Sequence, residues 1–423
     1  MTPVRAACAA ALTAFVAGIG ACDRDSAESA DTASTSPAPA PAPAPAQAGD
    51  CRTPYTRSSP WNTPVPRGAP RARREATYLG SLEGSALTSD PSQYTYPVYS
   101  VGPGTPRERV ELSGFFSHVS DGGRRLEFRD EPTLTIPIPK GAVEADGDDA
   151  QIILVHRRTG EEWGFFRADK GADGVWRAEN GYHYDVDWDG VPPPSENGNA
   201  FGSRGAGVPY LAGLVRPCEI ARGRIDHALA FAYDHPSRRH VFPATKSDGI
   251  GSARTDLPEG SRLQLDPTLG ADEIGAWGCD GPCLVIARAL QRYGMYVIDN
   301  AGRPKVMLEY EGTAGWGDLV DDDTVSPIPF SAFRVIAPCT RVGTVGNDEI
   351  RGTRRRDVLC GRDGDDRLLA RGGADVAYGG TGADLLRGGP GADRLFGERG
   401  NDRLIGGRGR DRLFGGPGRD RRR

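Results

Sequence analysis

An aspartate stands at every ninth position near the end of the chain: Asp348, Asp357, Asp366, Asp375, Asp384, Asp393, Asp402, Asp411 and Asp420. Carboxylates are hard oxygen donors, so this row is a supply of ligands for a hard cation such as calcium. Two residues before most of them lies a glycine, at Gly346, Gly364, Gly373, Gly382, Gly391, Gly400, Gly409 and Gly418. Glycine takes the positive φ of a tight turn and lets backbone carbonyls approach an ion. Two residues after the aspartates comes an apolar side chain: Ile350, Leu359, Leu368, Ala377, Leu386, Leu395, Leu404 and Leu413. A fixed short period marks stacked repeats. Two nine-residue units, each a turn and a short strand, would form one coil of a parallel β-roll, with residues eighteen apart stacked at roughly 4.8 Å. The aspartates then fall into two columns, and each of seven neighbouring pairs repels by roughly 0.9 kcal/mol even at water's dielectric, about 6 kcal/mol together. That rivals the ~5–15 kcal/mol stability of an ordinary domain. A divalent ion removes the penalty, so folding and metal binding are expected to be coupled.

Tandem glycines open the later units, as at Gly379-Gly380 and Gly388-Gly389, and the unit reads G-G-x-G-x-D-x-U-x. This resembles the calcium-binding nonapeptide of the haemolysin-type (RTX) family over about residues 343–420. The resemblance implies calcium between successive coils, with Asp348, Asp366, Asp375, Asp384, Asp393, Asp402 and Asp411 as ligands beside Gly364, Gly373, Gly382, Gly391, Gly400 and Gly409. Departures thin the array. Arg355 replaces the glycine before Asp357, Ala370 replaces the first glycine before Asp375, and Arg422 stands at the last inward position. Residues 341–423 hold nineteen arginines against thirteen acids, a charge of +6 that offsets part of the carboxylate repulsion. Tyr378, Phe396 and Phe414, eighteen apart, would stack on one face, either packed on the neighbouring domain or as a partner-binding strip.

A second acidic constellation is Asp185, Asp187 and Asp189, followed by Gly190 and Glu196. It fits the D-x-D-x-D-G-x₅-E calcium-loop spacing. The prolines 192–194 forbid the helix an EF-hand needs, leaving a lone calcium loop or an acidic solvated strand. His227 shares a face with Ile225, Leu229 and Phe231 and reads either as a core histidine or as an acid or base in a sugar-binding groove. Residues 202–207 are glycine-rich but lack the Lys-Ser/Thr of a phosphate loop. No G-x-S-x-G, H-E-x-x-H or Cys–His pair stands out, and no catalytic residue is assigned.

These residues must be positioned by residues 51–338, where turn signals and alternating stretches dominate. Strands are expected at 126–128, 134–138, 152–155, 182–188, 224–232, 262–265 and 295–299, with hairpin turns at 158–161 and 179–181. One helix is expected over 284–293, with Pro282 in its first turn and Gly294 ending it. Its apolar sides should dock on a sheet. The fold class is mainly β: a β-sandwich or jelly-roll-like central domain with one packed helix, then a parallel β-roll over 339–423. The stretches 211–216, 223–229 and 289–295 are similar to a set of exported bacterial proteins. All six tryptophans lie in this region, filling its core or stacking on sugar rings.

Residues 1–22 read as an export signal, with an apolar run from Ala6 and the ending Ile19-Gly20-Ala21-Cys22. That ending resembles the lipobox of bacterial lipoproteins, which implies lipidation at Cys22; release after ordinary cleavage is the alternative. Residues 23–50 are an Ala/Pro-rich spacer. The remaining six cysteines suggest disulfides, with fifteen possible connectivities; the expected pairs are Cys339–Cys360, Cys279–Cys283 and Cys51–Cys218, with a C-x₃-C zinc site at Cys279 and Cys283 as the weaker alternative. The net charge of −5 leaves −11 upstream of the repeats once their +6 is removed. The expected protein is extracellular, binds calcium through its repeats, and meets the membrane only through a lipid anchor. Its expected ligand is a cell-surface glycan, and no nucleic-acid partner is expected. A calcium-stabilised polysaccharide lyase or glycoside hydrolase is the competing reading.

Overall fold

The computed structural model describes residues 51–113, 119–121, 124–126, 133–184, 188–192 and 204–423. The chain is mainly β, as its alternating stretches predict. Two four-stranded sheets pack face to face. One runs Val98–Val101, Ile152–His156, Glu162–Phe166, Asn180–Tyr184; the other runs Thr133–Pro137, Arg107–Leu112, Trp176–Ala178, Asp169–Lys170. Val110, Leu112, Ile152, Leu154, Phe165 and Trp176 fill the space between them. Parallel pairings are woven in, such as Val98 opposite Ile153 and Val110 opposite Trp176.

A third sheet of five strands carries the helix. Its order is Lys305–Val306, Leu229–Tyr233, Met295–Asn300, Arg262–Leu265, Phe333–Val335. Period-two alternation explains its two faces. Leu229, Phe231 and Tyr233 pack with Ile286 and Leu290 of the helix Gly281–Arg292. Ala230 and Ala232 turn the other way, toward Tyr182, Tyr184 and Ile153 of the first sheet. Small side chains there let two sheets approach. Gly294, at φ +70, ends the helix and returns the chain as a strand. Four further helices of four to six residues are present among the described residues.

Several expected elements are shorter than their patterns. The strand expected over 224–232 begins at Leu229, because His227 and Ala228 are held by Glu219 and Trp61 instead of by a neighbouring strand. The strand expected over 182–188 spans Asn180–Tyr184, and 185–187 lie outside the described residues. The expected turn at 179–181 is a crossing between two sheets rather than a hairpin. The strand expected at 126–128 is described only to Leu126, in Arg124–Leu126.

From residue 341 the chain coils as its period predicts. Two five-stranded parallel sheets form, one from Arg341–Val342 through Arg412–Phe414, the other from Glu349–Arg351 through Arg421–Arg422. The register is eighteen residues: Leu368 faces Leu386, and Leu386 faces Leu404. Ile350, Leu359, Leu368, Ala377, Leu386, Leu395 and Leu404 form the narrow core. Arg422 occupies the last rung opposite Leu404. Disulfides join Cys51 to Cys218, Cys279 to Cys283 and Cys339 to Cys360, the three expected pairs, with Cα atoms 5.9, 5.1 and 6.0 Å apart.

Candidate metal centre

Glycines set the turns of the roll for a steric reason. At Gly382, Gly391, Gly400 and Gly409 a Cβ would lie 2.2, 1.6, 1.7 and 1.6 Å from the carbonyl oxygen of the glycine one coil earlier. Each also holds a positive φ, between +125 and +151. Gly364 and Gly373 are also crowded by backbone, less tightly, at 2.5 and 2.6 Å. Coils can therefore stack here only without side chains.

That stacking aligns the aspartates, and each carboxylate has two different oxygens. The Oδ1 atom braces the coils. The backbone N–H of Asp366 donates to Asp384 Oδ1 at 2.9 Å, that of Asp375 to Asp393 at 2.9 Å, and that of Asp384 to Asp402 at 3.0 Å. The same bond links Asp348 to Asp366, Asp357 to Asp375, Asp393 to Asp411 and Asp402 to Asp420. The Oδ2 atoms of Asp366, Asp375, Asp384, Asp393 and Asp402 are buried and have no hydrogen-bond partner. An unpaired buried carboxylate oxygen is expensive, and five in one array need a common explanation.

Their surroundings supply one. A Cβ on Gly379 would lie 2.3 Å from Asp384 Oδ2 and 2.7 Å from the Gly397 carbonyl oxygen. The places beside Gly388 and Gly397 are alike, 2.3 and 2.6 Å from Asp393 Oδ2 and the Gly406 carbonyl, and 2.2 and 2.6 Å from Asp402 Oδ2 and the Gly415 carbonyl. Carboxylate and carbonyl oxygens thus converge beside each turn, the donor set that calcium takes. Among the described residues no three His, Cys, Asp or Glu side chains are grouped to hold a metal. The carboxylates stand in columns, so backbone carbonyls must complete each shell. Without metal, burial pushes Asp366 up to about 6 and Asp375 and Asp384 up to about 7, against the opposing pull of the amide of the preceding coil. Burial raises Asp393 and Asp402 as well.

Three comparisons bear on this geometry. The profile of the RTX calcium-binding nonapeptide repeat matches residues 342–377, 370–404 and 387–421. The array is built of RTX repeats. RTX nonapeptides bind Ca²⁺, and the orphaned Oδ2 row is what such a site needs. No curated protein and no solved structure matches the chain.

The first two RTX turns differ from the rest. The Thr344 amide and hydroxyl both donate to Asp348 Oδ2, at 2.6 and 2.9 Å. Thr353 does the same for Asp357, at 2.6 and 2.8 Å. In these turns the carboxylate is satisfied by its own loop. The departure at Arg355 pointed to the second, but Asp348 gave no such sign. What sets both turns apart in the sequence is a threonine four residues before the aspartate, where later units carry glycine, arginine or glutamate.

The other expected sites fare differently. Of the loop Asp185, Asp187, Asp189 and Glu196, only Asp189 is described. It is buried, ion-paired to Arg362 of the roll, and accepts the Val191 amide at 3.1 Å. Arg362 holds φ +89 where the equivalent Gly380 and Gly416 need no strain, so this pair offsets a conformational cost. His227 is 2% exposed, its Nδ1 against the Ala228 carbonyl and its Nε2 3.1 Å from Glu219 Oε1, the core arrangement. Trp61, Trp163, Trp176 and Trp316 are buried in the core. The Tyr378, Phe396 and Phe414 rings stack at 5.0 and 4.8 Å. They line a cleft of about 450 Å³ whose other wall includes Val65 and Tyr296 of the central region.

Proposed function

We propose that this is an exported, surface-tethered protein whose RTX roll is ordered by calcium and presents one wall of a ligand cleft. The ions are held at the turns of Asp366, Asp375, Asp384, Asp393 and Asp402, with Asp411 closing the last, and with glycine carbonyls completing each shell. Asp348 and Asp357 act as structural braces. The row of five buried, unpartnered Oδ2 atoms carries this reading. Calcium titration of the chelated protein tests it: circular dichroism and hydrodynamic radius should report compaction. No change between chelator and millimolar calcium would refute it.

Three disulfides suit an oxidising, extracytoplasmic compartment. The I-G-A-C ending supports lipidation at Cys22, which mass spectrometry of the native N-terminus would detect. For the cleft we infer an acidic cell-surface glycan. Arg57, Arg262 and Arg399 line it against one acid, Glu398, beside Arg362, whose charge is paired with Asp189. The rings stack on one another and present their edges, so recognition rests on charge more than on sugar stacking. Hyaluronan oligosaccharides should bind in calcium and not in chelator, while neutral dextran should not bind. The reverse preference would sink the assignment. Burial of His227 against Glu219 favours binding over a lyase or hydrolase centred on that histidine.

A further inference from the structure

One residue of the ligand cleft is held there at a cost. Arg362, Gly380, Glu398 and Gly416, one from each coil, line the cleft as a column along the roll. Glycine suits this column: a Cβ on Gly380 or Gly416 would lie 1.8 or 1.9 Å from the carbonyl oxygen of the residue one coil earlier. Glu398 keeps a side chain and holds φ +71. Arg362 is strained in the same way, and its pair with Asp189 offsets the cost. Glu398 has no such pair. Among the described residues its carboxylate has neither an ion-pair nor a hydrogen-bond partner. Backbone strain without a compensating contact gathers at functional sites.

The surroundings show what such a carboxylate can take. Its charge is felt by Arg262, Tyr296 and Tyr378, all of which line the cleft. Arg262 is pinned away from it. The guanidinium donates to the carbonyls of Tyr293 at 2.7 Å and Thr63 at 2.6 Å and lies over the Tyr296 ring. Gly380 and Gly416, one coil to either side, carry no side chain that could supply a donor. Burial disfavours the ionised carboxyl, with Arg262 opposing, and added donors favour it again. An anion drawn in by Arg57, Arg262 and Arg399 meets repulsion from a bare carboxylate. The anion that fits therefore brings hydroxyl donors beside its own charge. A uronic acid with two adjacent free hydroxyls does so, and an acidic peptide does not.

We propose that Glu398 is the specificity-determining residue of the cleft, its carboxylate accepting adjacent hydroxyls of a uronic acid whose own carboxylate the arginines hold. This rests on the reading of the cleft as a site for acidic glycan. Two anionic probes test it: hyaluronan oligosaccharides, whose uronic acids carry the hydroxyls, and polyglutamate, which has none. Both are titrated by calorimetry into the full chain in saturating calcium. Glu398→Gly and Glu398→Gln should each weaken hyaluronan binding roughly tenfold, the loss of a hydrogen bond to a charged group. The same variants should leave polyglutamate binding unchanged or strengthen it, because a repelling charge is gone. Glu398→Gly should melt no lower than the parent, since glycine relieves the backbone at φ +71. Hyaluronan binding that both variants leave intact refutes the proposal and spares the cleft reading. Polyglutamate bound by the parent as tightly as hyaluronan also refutes it. Failure of the parent to bind hyaluronan at all refutes the cleft reading and this proposal with it. A Glu398→Gly protein that melts several degrees lower overturns the proposal too, since the side chain would then be a structural element.

Discussion

The roll and the central region solve the problem of buried polar atoms in opposite ways. In the central region an apolar core of long-range contacts surrounds Phe231, Leu263 and Ile286, and the buried His227 beside it finds Glu219. The roll has one thin column of leucines and leaves a row of carboxylate oxygens unsatisfied. A thin core buries little area per residue, so side-chain burial alone leaves it marginal. The central region is built to stand by itself, and the roll is built to wait for an ion.

Chelation should separate the two most widely. At calcium a hundredfold above its dissociation constant, each site contributes about 2.7 kcal/mol, so five sites withdraw roughly 14 kcal/mol. Hydrogen exchange should show residues 358–414 losing protection while Leu229–Tyr233 keeps it; simultaneous loss would erase the contrast. Next in size, Phe231→Ala should cost about 3–5 kcal/mol in calcium and in chelator alike, read by denaturant unfolding. Asp384→Asn should lower only the calcium-dependent part, by about one site's 2.7 kcal/mol under the same condition, with calorimetry counting one ion fewer.

Acidity sharpens the contrast further. In the chelated roll Asp366, Asp375 and Asp384 hold protons up to about 6, 7 and 7, whereas an unfolded aspartate lets go near ~3.9. A raised folded value stabilises the protonated fold. The chelated roll should therefore be most stable below about pH 4 and lose stability as pH rises through the 6–7 range. Calcium affinity should climb across the same window. Melting curves of chelated protein from acid to neutral pH check the sign, and a roll that instead gained stability toward pH 7 would contradict it. Smallest of all, Thr353→Val should cost about 1 kcal/mol, the worth of one hydroxyl bond to Asp357, and should do so even in chelator. An effect seen only with calcium would mean that this turn, too, holds an ion.

The same contrast governs what could be read from the chain. Every unit of the roll repeats one local rule, so a period of nine residues was enough to state its register, its inward leucines and its aspartate columns. The even cysteine count pointed to disulfides, while the observed pairing is one of the fifteen connectivities that six cysteines allow. The central region has no such rule. Its helix and several strands announced themselves through alternation and through Pro282 and Gly294. Its strand order and its parallel pairs depend on contacts between distant segments. Asp189 looked like a calcium ligand because its partner, Arg362, lies 173 residues away. Thr344 and Thr353 are legible as the only hydroxyls at a position that otherwise carries glycine, arginine or glutamate.

Arg422 has a consequence beyond its own rung. A leucine column in a parallel β-roll is a surface on which a further coil can settle. Here the final inward position carries a guanidinium, 3.8 Å from Asp420 and half exposed. Any molecule stacking there would bury that charge without a solvent shell. The guanidinium thereby ends the apolar column at this rung, because carrying the column further would bury an ion.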